Sequence, residues 1–149
     1  MRWRASLISA FFAILTAGSV AGAQSSPLEG TWKTANKSHV RISRCSQGHC
    51  GRLTNVSVPA EIYAEYQSEI EKMGVQNLPD YFNKDPSLRS RRMQGLQILT
   101  LPNQTAPGQF EGEVYNAEDG ETYYGKMEVI SDDHLRLSGC VFFNLVCRS

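Results

Sequence analysis

The chain has 149 residues, with 15 Lys and Arg against 15 Asp and Glu, so its formal net charge at neutral pH is zero. That length fits one domain able to bury a real core. The balanced charge withholds the basic footprint that a nucleic-acid binder needs, and no nucleic-acid partner is expected.

Arg2 and Arg4 precede an apolar stretch over residues 7–15, and the small residues Ala21-Gly22-Ala23 follow it. Charged, apolar and small segments in that order describe a secretory signal peptide over 1–23, cleaved after Ala23. The strongly apolar part is shorter than the roughly 20 residues that span a bilayer. No transmembrane segment is therefore expected after cleavage, and the product is expected to be exported, periplasmic or secreted. Residues 24–149 form a single domain with 13 bases against 15 acids. It keeps four cysteines, Cys45, Cys50, Cys140 and Cys147. An even number in an oxidising compartment points to two disulfides. Three connectivities are open, of which the local pairs Cys45–Cys50 and Cys140–Cys147 are expected. A metal site over Cys45, His49 and Cys50 is the competing reading; no metal or other cofactor is expected.

A first strand over 30–34 contains Gly30-Thr31-Trp32, and Ala35-Asn36-Lys37 turns the chain. Residues 39–44 alternate, Val40 and Ile42 against His39, Arg41 and Ser43, with the period of a half-buried strand. Residues 50–56 run back after a break at Gly48. From Pro59 the pattern changes. Ile62, Tyr63, Tyr66, Ile70 and Met73 recur at helical spacing, Glu61, Glu65, Glu69, Glu71 and Lys72 fill the other side, and Gly74 follows. This predicts one amphipathic helix of about four turns, whose apolar stripe either lids a barrel mouth or packs on the barrel wall. Residues 77–86 form a loop with two prolines. Further strands are expected over 94–101, 109–116, 121–130, 135–138 and 141–146, with Asp119-Gly120 as a hairpin turn. About eight short strands and one inserted helix predict an all-β fold, a small antiparallel barrel.

Four segments then carry a resemblance: Cys45…Cys50-Gly51-Arg52-Leu53; residues 83–91, closing on Leu88-Arg89-Ser90-Arg91, with Gly95-Leu96 after them; Tyr115-Asn116…Glu118-Asp119-Gly120…Tyr123; and Leu137…Gly139-Cys140. Through them the chain resembles the exported bacterial family called domain of unknown function 2147. Gly30-Thr31-Trp32 is similar to the Gly-x-Trp opening of lipocalin-like barrels. The resemblance implies a lipocalin-like barrel in a periplasmic or secreted setting, and no established reaction. It places the Trp32 ring in the core at the barrel floor, with a late arginine, here Arg148 or Arg136, packed on it. Residues 57–82 depart from the family pattern in being longer and more helical, and the last strand in being shorter.

Arg89 and Arg91 share a face of an extended segment and could clamp an acidic group, or could pair internally with Asp80, Asp85 or Glu118. Tyr115, Asn116, Asp119 and Tyr123 either build the hairpin turn or line a site. Trp32, Arg89, Arg91, Tyr115, Asn116, Asp119 and Tyr123 are thus the candidate ligand-binding residues. No catalytic residue is expected, since neither a nucleophile elbow nor a phosphate loop is present. The expected function is binding of a small apolar or amphipathic ligand inside the barrel, where inward-facing Gly112 and Gly125 leave space beside Val114 and Met127. The alternatives are an envelope interaction or structural protein with a filled barrel, and a hydrolase acting on envelope material.

Overall fold

The computed structural model describes residues 26–141 and 146–148. The expected signal peptide and residues 142–145 lie outside the described residues. The expected last strand over 141–146 is not one strand, because Val141 ends one strand and pairs antiparallel with Val146, which opens the next. The strands are β1 (Gly30–Lys33), β2 (His39–Cys45), β3 (Gly48–Asn55), β4 (Gln97–Ala106), β5 (Gln109–Asn116), β6 (Glu121–Ser131), β7 (His134–Val141) and β8 (Val146–Arg148). They form one antiparallel sheet in chain order, with β1 and β8 at its edges. Val40 and Ile42 of β2 share a single buried cluster with Phe110 of β5 and Met127 of β6. Strands that far apart can meet only if the sheet curls over its own apolar face.

The period-two pattern explains the elements. In β2, Val40 and Ile42 are buried and Arg41 and Ser43 exposed. Register keeps such residues on one side: Val40 lies opposite Leu53, Ile42 opposite Gly51, Phe110 opposite Met127. The expected single helix is instead two, α1 (Ala60–Glu65) and α2 (Gln67–Met73), because Tyr66 leaves the helical region at φ −116° and ψ 27°. At that break the Tyr66 ring meets Tyr81 and Phe82.

Two expectations about the interior are corrected. Trp32 is half-buried, and its Nε1 donates to the Leu28 carbonyl at 2.8 Å. It stands on edge strand β1, which has a ladder neighbour on one side, so it leans on the core while Phe110, Leu28 and Leu101 fill it. Arg136 pairs with Glu128 Oε2 at 3.0 Å, and the Arg148 side chain lies outside the described residues. The inward glycines leave no space either. A Cβ on Gly125 would overlap Val114 Cγ2, and one on Gly112 would overlap the Thr100 carbonyl. They mark close strand packing, and the space expected beside Val114 and Met127 is absent.

Cys45 and Cys50 are bonded across the β2–β3 hairpin, with Cα atoms 5.9 Å apart. Cys140 is also disulfide-bonded and lies opposite Cys147 in the β7–β8 ladder.

Candidate functional site

The long connection from β3 to β4 carries α1, α2 and a closed loop over 78–93. The loop is zipped at its base, where Asp80 N–H donates to the Arg91 carbonyl and Met93 N–H to the Leu78 carbonyl, both at 2.9 Å. Asp80, at 0% exposure, sits at its centre. Its carboxylate accepts from Tyr115 Oη at 2.5 Å, Asn83 Nδ2 at 2.9 Å and Arg91 Nε at 2.7 Å. The Arg91 guanidinium also lies 5.1 Å from the Tyr115 ring centroid. Burial, and then the hydrogen bond to Asp80, push the Tyr115 hydroxyl up to about 12. A buried carboxylate is tolerated only when paired and hydrogen-bonded, and these partners meet that demand. The loop is pinned to the β5–β6 turn at Gly120, which has φ 73° and where any Cβ would overlap the Phe82 carbonyl oxygen.

With the loop held there, the helices stand over one end of the barrel and wall a half-open cavity of about 720 Å³. The helix segment contributes Ile62, Tyr66, Ile70 and Met73 of the apolar stripe legible in the sequence, whereas its fifth member, Tyr63, is not part of the wall and donates to Glu71; the loop contributes Tyr81 and Phe82. Leu53, Met93 and Ile98 line the barrel side, and the β1–β2 and β5–β6 turns close the rim with Asn36 and Glu118. The stripe therefore faces the cavity as a lid while Ile70 is itself buried. A mostly apolar pocket with a few polar groups, in the size range of roughly 300–1,000 Å³, is the form that small-molecule sites take. Tyr115 also borders a second, smaller cavity of about 270 Å³, lined by Arg91, Glu113, Thr100 and Thr122 among others.

The structure places the sequence candidates as follows. Arg91 makes the internal pair with Asp80, Arg89 Nε donates to the Asn83 carbonyl at 2.7 Å, and Arg92 Nη2 donates to Asn77 Oδ1 at 2.5 Å. None of these arginines lines the larger cavity. Asn116 Nδ2 and Tyr123 Oη donate to Asp119 Oδ2 at 2.8 and 2.7 Å, and Glu121 N–H to Asp119 Oδ1 at 2.9 Å, which locks the hairpin turn. Tyr115 and Asn116 reach the cavity wall, whereas Trp32, Asp119 and Tyr123 are not part of it. The sequence reading missed Tyr81, Phe82 and Met93 as lining residues, although two adjacent aromatics in a polar loop are themselves a signal. It also missed Asp80 as the loop's centre.

At the opposite end of β3, His49 is buried edge-on to Phe110 at 5.3 Å, and its Nε2 has no hydrogen-bond partner among the described residues. Among the described residues no three His, Cys, Asp or Glu side chains are grouped to hold a metal, and no helix is long and apolar enough to cross a membrane.

A family model described as an uncharacterized protein conserved in bacteria, DUF2147, matches residues 30–149. No curated protein matches the chain. Among solved structures the chain is similar to the protein HP1028 of Helicobacter pylori, described as belonging to the lipocalin family. That match has 19% identity and a TM-score of 0.59, over 81% of this chain and 77% of that one.

Proposed function

The chain belongs to the bacterial DUF2147 family, and on that footing we propose that it is an exported lipocalin-like binding protein that takes a small apolar or amphipathic molecule into the cavity under α1 and α2. The observation that carries this reading is the cavity itself: about 720 Å³, apolar on the helix and barrel sides, with polar groups gathered at the rim. Its place differs from the one expected from the strand pattern, at the mouth rather than beside Gly112 and Gly125. Export is supported by the signal-like order of residues 1–23 and by the Cys45–Cys50 bond, a linkage that persists in oxidising compartments.

The test is native mass spectrometry of protein purified from its own cell envelope. A co-purifying molecule, on a chain whose mass begins at Gln24, is the expected result. A chain retaining 1–23 contradicts export. A protein that carries nothing, and binds no decyl-chain compound saturably, favours the second reading, an envelope interaction protein, for which the close packing at Gly112 and Gly125 speaks.

A further inference from the structure

The rim of the cavity is acidic and aromatic. Among the described residues lining it, Glu69 and Glu118 carry charge, and no lysine or arginine joins them. The lid adds to this, since α1 and α2 hold Glu61, Glu65, Glu69 and Glu71 against the single base Lys72. Of the neighbouring arginines, Arg91 is paired with Asp80 at 2.7 Å, while Arg89 and Arg92 keep their charge but are held outside the cavity lining by hydrogen bonds to the Asn83 carbonyl and Asn77. Tyr66, Tyr81 and Phe82 form a cluster with ring centroids 5.5–6.2 Å apart, and all three line the cavity. Glu69 follows Tyr66 by three positions, so the two are neighbours on the helix surface.

An aromatic face attracts a cation within about 6 Å of its centroid, and carboxylates beside it add to that attraction. An anion meets repulsion from both. We propose that the cavity selects a positively charged amphiphile, an alkyl chain bearing an amine or quaternary ammonium head. The chain lies against Leu53, Ile70 and Met93. The head sits at the Tyr66–Tyr81–Phe82 cluster beside Glu69, and Glu118 on the facing turn adds to the field. This rests on the reading of the cavity as a ligand site, and it replaces the acidic ligand end expected at Arg89 or Arg91.

The test is calorimetric titration of the mature protein with three ligands of equal chain length, below their micellar concentrations: decyltrimethylammonium, decanoate and decanol. At low ionic strength the ammonium compound is expected to bind about tenfold tighter than decanoate, the size of a few weak exposed charge contacts. The ratio is expected to shrink in high salt and in the Glu69→Gln/Glu118→Gln variant. Tyr81 is 61% exposed, so Tyr81→Ala is expected to fold normally and to weaken the ammonium compound more than decanol. Decanoate binding as tightly as the ammonium compound overturns the charge preference alone, as does a preference unchanged in the double glutamine variant. Binding by none of the three overturns the ligand reading with it.

Discussion

Arg91→Met is expected to destabilise the protein more than Asp80→Asn, although both break the same ion pair. The Asp80 side chain is fully buried, whereas the Arg91 side chain keeps 35% of its surface exposed. Without Arg91, a carboxylate remains in the interior with two neutral donors, Tyr115 Oη and Asn83 Nδ2. Breaking a buried pair in that way costs about 3–5 kcal/mol. Asp80→Asn keeps the shape and one carbonyl acceptor, and the released guanidinium can turn to water. The loss is then that of a charge-assisted hydrogen bond, about 1.5–3 kcal/mol. Both are large beside a total stability of roughly 5–15 kcal/mol. Urea unfolding followed by circular dichroism reads each loss as a shifted midpoint at constant slope. Tyr115→Phe removes a third member of the same network. Its cost is expected to fall short of additivity with Asp80→Asn by at least about 0.5 kcal/mol. The reverse order of the two single losses, or two losses each below about 0.5 kcal/mol, refutes Asp80 as the anchor of this loop.

Stability is expected to fade at both ends of the pH scale through different residues. The Tyr115 value of about 12 lies above its ordinary 10.0. Its contribution is therefore complete below pH 10 and is lost as pH rises from there toward 12. Tyr115→Phe should flatten that alkaline limb, and an unchanged limb contradicts burial as the cause. Burial, then the charge of Arg44, hold the His49 imidazole below its ordinary 6.5, with Glu29 opposing. The unfolded chain thus binds the proton more readily, and stability is complete above pH 6.5 and declines as pH falls below it. His49→Leu should weaken that decline, and an acid limb equal to wild type counts against it. Peptide mapping without reduction should recover Cys45 joined to Cys50 and Cys140 joined to Cys147. Loss of the former bond, which closes a short hairpin loop, should cost about 2 kcal/mol by chain entropy, and a Cys45–Cys140 crosslink would refute the pairing.

The strands were legible because one side chain in two turns to the core: Val40, Ile42, Phe110 and Met127 are buried where their alternation places them and Leu135 is half-buried, whereas Leu137 beside it is exposed. The helical stripe was legible for the same reason, but not its break at Tyr66, which the sequence marks with neither glycine nor proline. The cavity was misplaced because a missing side chain was read as empty space at Gly112 and Gly125, where neighbouring strands close in. Asp80 was legible as one possible partner of the arginines but not as the buried centre of the loop, because Tyr115 is 35 residues away and no local periodicity reports a tertiary hydrogen bond. The arginines gave two readings from one pattern. Only the folded loop decides that Arg91 turns inward to Asp80.

The central claim is that a small molecule binds at the barrel mouth, under the helix pair. Amide NMR during titration of the mature protein with decanol tests it most directly, because it locates the ligand without depending on its head group. Shifts are predicted over 34–38, 56–59, 62–73, 78–82 and 116–118, the segments that line the cavity, with the β6–β7 ladder unmoved. The absence of saturable shifts, or shifts centred on β6 and β7, would contradict the account.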